Sequence, residues 1–135
     1  RATTPAGTAM TFLDKYAPML LSILRIVAGL LFLEHGCVKI LHFPTSMPLP
    51  PDHAALIMTA GYIELIGGAL IVLGLFSRIA AFIASGEMAI AYWTAHFAMG
   101  GPFPSINKGG EAILFCFVFL YLAAAGPGPW AINRK

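Results

Sequence analysis

Long apolar runs, separated by short clusters of glycine, proline and charge, set the pattern of this chain. Apolar residues dominate from Ala17 to Leu41, His53 to Leu75, Ser77 to Met99 and Lys108 to Ala125, and a membrane-spanning helix takes about 20 of them. The pattern predicts four transmembrane helices, over 17–41, 53–75, 77–99 and 108–125. Between the first two, Pro44, Pro48, Pro50 and Pro51 cannot continue a helix, because each ring removes a donor and restricts the residue before it. Gly74, Ser77 and Arg78 allow only a very short connection, so the second and third spans form a tight hairpin. Gly100-Gly101-Pro102-Phe103-Pro104 ends the third span, and Gly126-Pro127-Gly128-Pro129 ends the fourth. In lipid only helices or closed barrels satisfy the backbone internally, and the alternation of barrel strands is missing. The expected fold class is an all-α membrane protein, a four-transmembrane-helix antiparallel bundle. A polar lead-in at 1–16 precedes it, with Thr11 to Tyr16 at the interface, and a C-terminal tail at 126–135 follows.

Composition agrees with that pattern. The 135 residues are 59% hydrophobic and 10% charged, against about a quarter charged in soluble domains. Four spans nearly exhaust the length, which leaves no room for a soluble catalytic domain. The formal charge of +2 arises without any dense basic run, so nucleic acid is excluded as a partner and the lipid bilayer takes its place. The first span is too long for a signal peptide and is expected to stay in the membrane. Arg1, Lys15, Arg78, Arg134 and Lys135 fall on the side of the termini, with Lys108 opposite, which places both termini in the cytoplasm and the Pro-rich loops outside.

The few charges are oddly placed. Of six acids, Glu34, Glu64, Glu87 and Glu111 lie in the apolar runs, one per span. A charge at the bilayer centre costs roughly 2.5–3.5 kcal/mol on insertion scales, so these groups should face one another and pair with Arg25, His35, Lys39 and His96. At about 1.5 Å per residue, Glu64 and Glu87 come near the midplane, with Glu34, Lys39, His96 and Glu111 nearer the Pro-rich loops. Around the first helix, Arg25, His35 and Lys39 share a face with Gly29 and Gly36, and Glu34 points elsewhere. Gly61, Glu64 and Gly68 form one stripe of the second helix, and Ala80, Ala84, Glu87, Ala91 and Thr94 one of the third. Small residues let membrane helices approach closely, so these glutamates belong to packing faces. His96, nine positions after Glu87, falls on the opposite side of an ideal helix.

Two readings of this buried polar cluster compete. Buried ion pairs can fix register without any chemistry, or the cluster can carry protons or hold a polar head group, with His35 and His96 suited by titrating near neutrality. No metal site is expected, because the glutamates and histidines lack an E-x-x-H or H-x-x-E spacing. Cys37 and Cys116 stand singly at comparable depth, which fits packing and leaves a redox pair as a second reading. Tyr92, Trp93, Phe115, Phe117, Phe119, Tyr121 and Trp130 belong to core or interface belts, or to the lining of a quinone slot.

Five sets of residues occur in order: Arg25; Glu34-His35-Gly36 followed by Lys39; Gly61-Tyr62-Ile63-Glu64; Gly86-Glu87-Met88; and Asn107-Lys108-Gly109-Gly110-Glu111. With these the chain resembles the DoxX family, over roughly Leu20 to Trp130. The resemblance implies a four-helix protein of a bacterial-type inner membrane. Relatives include the small membrane subunit of a thiosulfate:quinone oxidoreductase and a membrane component linked to thiol and oxidative-stress defence. It further implies an accessory subunit of a quinone-linked redox complex, whose polar core holds a quinone head group or relays its protons. Glu64 and Glu87 would then bear the protons, Arg25 and Lys39 supply counter-charges, and His35, His96 and Glu111 lead to the outer surface. The sequence carries no flavin, haem or nucleotide motif, so no intrinsic cofactor is expected beyond a bound quinone, and a redox partner or other membrane subunits must move the electrons. A non-catalytic structural subunit of a larger membrane assembly is the competing reading. A small proton-coupled transporter is the third, and it would call for oligomerisation.

Overall fold

The computed structural model describes residues 5–135, with side-chain surroundings from Met10 onward. Arg1, used above to orient the chain, and the three residues after it lie outside the described residues. All regular structure among the described residues is helical. A 3₁₀ helix, Pro5–Tyr16, runs into α1, Ala17–Gly36, and a wide π turn, Cys37–Leu41, prolongs α1. Next come α2, Ala54–Leu73, and α3, Ser77–Ala91, which continues through a second π turn, Tyr92–Phe97, into the single turn α4, Ala98–Gly100. The short α5, Pro104–Asn107, precedes α6, Gly110–Ala125. The stretch Met10–Leu41 and helix α2 are long and apolar enough to cross a bilayer, and α6 is apolar but shorter. The last run starts at Gly110 rather than at Lys108, because Lys108 takes a left-handed φ of 63° that closes α5.

Burial is inverted relative to a water-soluble domain. Arg25 and Glu64 are among the largest fully buried side chains, at 1% and 0% exposure, whereas Ile66, Phe82, Leu114 and Phe117 point outward. Soluble monomers rarely expose contiguous apolar patches of that extent. Lipid contact explains it.

Glycine governs how α1 meets α2. A Cβ at Gly36 would stand 2.7 Å from the Leu65 Cα, and one at Gly68 would stand 2.8 Å from the Leu33 Cα, so the two backbones touch directly. Gly29 lies against Val72 and Gly61 against Lys39, which gives the pair opposite chain directions. On the other side α3 presents Ala80, Ala81 and Ala84 to the bulkier α6, whose Phe115 and Phe119 stack at 5.4 Å beside Phe32 of α1. The small face of α3 thus receives the large side chains of α6, while α1 and α2 meet through glycines on both helices.

The C-terminal residues do not form a free tail. The Ile132 and Asn133 amides donate to the Leu73 and Gly74 carbonyls at 3.2 and 3.0 Å, and the Arg78 amide donates to the Lys135 carbonyl at 2.9 Å. Residues 126–135 therefore lie folded along the turn between α2 and α3. Arg78 also donates to the Ala123 and Ala124 carbonyls at 3.1 and 2.8 Å, covering the C-terminal end of α6 with a cation where the helix dipole favours one.

Candidate functional site

The buried polar residues divide into three groups rather than one. The central group joins α1, α2 and α3. The π turn after α1 carries Lys39 to α2, where its Nζ donates to both oxygens of Glu64 at 2.7 Å. Such turns recur at functional positions because one extra residue per turn re-aims a side chain. Close packing at Gly36 and Gly61 brings the two helices near enough for that pair. Glu87 of α3 completes the group, with its carboxyl within hydrogen-bonding reach of Glu64 and with Lys39 also nearby. The Glu87 Oε1 is buried with no hydrogen-bond partner among the described residues.

Charge counting constrains this group. Two carboxyls can share a hydrogen bond only if one of them carries a proton. One ammonium, one carboxylate and one carboxylic acid then sum to zero, the balance that a low-dielectric site favours. Gly86, next to Glu87, has open space where a Cβ would stand, so α3 is uncovered beside the acid.

A second group sits at the opposite end of α1 and corrects the expected role of Arg25. Arg25 is not a counter-charge for Glu64 or Glu87. Its guanidinium donates to the Pro127 carbonyl, to the Trp130 carbonyl at 2.6 Å and to the Val72 carbonyl at 3.4 Å. Ser22, one turn earlier, accepts from the Trp130 amide at 3.1 Å. This cradle holds the chain just after α6. Ser22 was not singled out from the sequence, and its signal was the spacing of three residues that puts it on the Arg25 face.

The third group lies toward the loops that follow α1 and α3. His35 Nε2 stands 3.3 Å from Glu111 Oε1, and its Nδ1 meets the Leu31 carbonyl at 2.8 Å. Among the described residues His96 pairs with no acid: its Nδ1 donates to the Asn107 carbonyl at 3.0 Å. The π turn Tyr92–Phe97 changes the helical phase, so the opposition between His96 and Glu87 read from an ideal helix does not decide its contacts. Asn107, buried at 7% exposure, ties this end together through the Tyr92 hydroxyl at 3.1 Å, the Gly101 carbonyl at 2.8 Å and the Gly109 amide at 2.8 Å.

Glu34 joins none of these groups. It is exposed and lines a shallow pocket with Leu30, Leu33, Cys37, Phe43 and Pro44. Glu111 is also largely exposed, so the expectation of four acids in one buried core holds for Glu64 and Glu87 alone. Both cysteines are free and differ in surroundings, Cys37 in that pocket and Cys116 against Ser85, whose hydroxyl donates to the Cys116 carbonyl at 2.7 Å. No group of three or more potential metal ligands occurs among the described residues.

An all-helical chain with an apolar exterior and ionisable residues inside is a membrane protein in kind. Comparison with known proteins agrees. The DoxX family model matches residues 20–97, and the chain belongs to this family of integral membrane proteins. It is also 43% identical over 130 residues to an uncharacterized protein of Haemophilus influenzae, a match covering 93% of this chain and 97% of that relative. No solved structure matches. The family match takes in the whole Lys39–Glu64–Glu87 group and stops before Asn107, Glu111 and the C-terminal segment.

Proposed function

We propose that this chain is a membrane subunit of a quinone-linked redox complex, and that Lys39, Glu64 and Glu87 form a site that stores and passes a proton accompanying quinone chemistry. In this reading α1, α2, α3 with its continuation, and α6 each cross a bacterial-type inner membrane as an antiparallel four-helix bundle, with both termini cytoplasmic. The observation that carries it is the meeting of two carboxyls beside an ammonium, with one buried oxygen left without a hydrogen-bond partner among the described residues. Ionisable residues inside membrane helices commonly mark proton relays or ligand sites, because their insertion is otherwise costly. Family membership supports the membrane setting, and the quinone-linked context is this reading's own extension of it. The electrons are carried by a partner subunit, and this chain contributes the proton-bearing group and the membrane anchor.

A second reading has its own support. The Lys39–Glu64 pair is short and two-pronged, the geometry of a pair that fixes helix register, and a structural subunit needs nothing more. Glu87→Gln separates the two, since it keeps the shape and removes the exchangeable proton without touching the ion pair. The assembly extracted from its own membrane is assayed for composition and for quinone reduction. The proton-site reading expects normal assembly with turnover lowered by about 10²-fold or more, the usual worth of a positioned proton-transfer group. Unchanged turnover with normal assembly would leave the cluster as architecture.

A further inference from the structure

The Lys39–Glu64–Glu87 group is closed toward one end of the molecule and not toward the other. Toward the C-terminal segment, Ile71 follows Glu64 on α2, and Ala81 and Ala84 precede Glu87 on α3. With Phe32 of α1 and Phe119 of α6 they form a layer in which all five side chains have 0% exposure. It draws on all four long helices and its side chains are hydrocarbon, so they offer a proton no relay. Beyond it the Arg25 cradle ties the chain after α6 across the same end.

Toward the loop that follows α1 the packing thins. On α2 no residue from Ala54 to Ala60 is fully buried, whereas Gly61, Glu64, Gly67, Gly68 and Ile71 are. Helix lengths explain the difference. A Cβ at Gly61 would stand 2.9 Å from the Lys39 Cβ, so these two residues share a level. From that level α2 runs on to Ala54, about 10 Å, and the turn after α1 runs on to Leu41, about 3 Å. α1 thus stops about 7 Å short of its neighbour. The loop does not fill the step, because every residue from His42 to His53 is exposed except the half-buried Met47. Lys39 stands in this step, its side chain 18% exposed beside a Glu64 at 0%. An ammonium keeps its free face toward water while its stem lies along apolar surface, so the exposed part of Lys39 marks the way out. Ile57, half-buried and one turn from Gly61 on the same face of α2, is the next part of that wall.

We propose that the Glu64–Glu87 pair exchanges its proton with one side of the membrane only, the side of the 42–53 loop, past Lys39 and Ile57. The inference rests on the proton-site reading above and adds the direction. It makes the group a one-sided proton well, closed by the apolar layer, and not a segment of a path across the membrane.

The test applies a quaternary ammonium carbodiimide, which the bilayer excludes, together with glycine methyl ester to right-side-out and inverted vesicles of the source membrane. A protonated carboxyl adds across one C=N bond of the reagent to give an O-acylisourea, and the amine then displaces the urea to leave an amide. Peptide mass spectrometry locates that amide. Asp52, on the loop with a 78% exposed side chain, reports which vesicles present the loop to the reagent. Glu87 label is expected to follow Asp52 label, with a ratio between the two preparations on the order of 10², the partition penalty of a charged reagent in an apolar layer. Ile57→Trp fills the step and gives a severalfold loss of Glu87 label at unchanged Asp52 label; if it does not fold, Ile57→Phe gives the same readout. Equal Glu87 label from both faces, Glu87 label in the vesicles that leave Asp52 unmodified, or no Glu87 label in either preparation overturns the one-sided path. The proton reading has its own test in the turnover of Glu87→Gln. Sided label with unchanged turnover leaves the opening and removes the proton role, and unsided label with turnover lost does the reverse.

Discussion

Replacing Lys39 by methionine removes the ammonium and keeps most of the side chain's length and apolar stem. Glu64 then loses both 2.7 Å contacts in a site with no solvent exposure, and its nearest polar neighbour is another acid, Glu87. Removing one partner of a buried pair costs about 3–5 kcal/mol, mainly because a desolvated charge is left uncompensated. Glu64→Gln in the same background removes that stranded charge, and a pair replaced on both sides is often close to neutral. The double variant Lys39→Met/Glu64→Gln should therefore recover most of the loss, with a coupling energy on the order of 3 kcal/mol between the two sites. Reversible unfolding in mixed detergent micelles, followed by circular dichroism, measures all four corners of the cycle. A Lys39→Met cost below about 1 kcal/mol, or costs that simply add, would refute the buried pairing.

Three further outcomes follow from the same geometry. Gly36→Ala puts a Cβ 2.7 Å from the Leu65 Cα and should destabilise by about 1–3 kcal/mol through overpacking, whereas Gly86→Ala meets nothing within 4 Å and should be neutral or slightly stabilising in the same unfolding assay. Arg25→Gln weakens the hold on Pro127 and Trp130, and at about 1.5–3 kcal/mol for hydrogen bonds to a charged group the Trp130 and Ile132 amides should exchange roughly 10- to 100-fold faster; unchanged protection would mean that the cradle does not hold the segment. A cysteine placed at Ser46, in a chain lacking Cys37 and Cys116, should react with an impermeant thiol reagent from outside intact cells. Reaction only after permeabilisation would reverse the orientation.

Features that depend on repeating small residues were legible in the sequence. Gly29 and Gly36 on α1, and Gly61 and Gly68 on α2, are the positions where the backbones approach, as the spacing of small residues predicts for helices packed in lipid. The face shared by Gly36 and Lys39 likewise pointed toward α2. Arg25 was misread because its acceptors are backbone carbonyls, two of them more than a hundred positions away, and a carbonyl has no residue type to reveal it. His96 escaped because an ideal period of 3.6 does not survive the π turn that holds it. Glu34 and His35 are adjacent in sequence, and one step of about 100° separates an exposed carboxylate from a histidine that meets another helix.

Native mass spectrometry of the assembly, gently extracted from its source membrane, bears most directly on the proposal that this chain serves a quinone-linked complex. The account predicts this chain in fixed stoichiometry with at least one further polypeptide and a bound quinone. Recovery of the chain alone, with neither a partner nor a quinone, under conditions that preserve other membrane complexes, would contradict it.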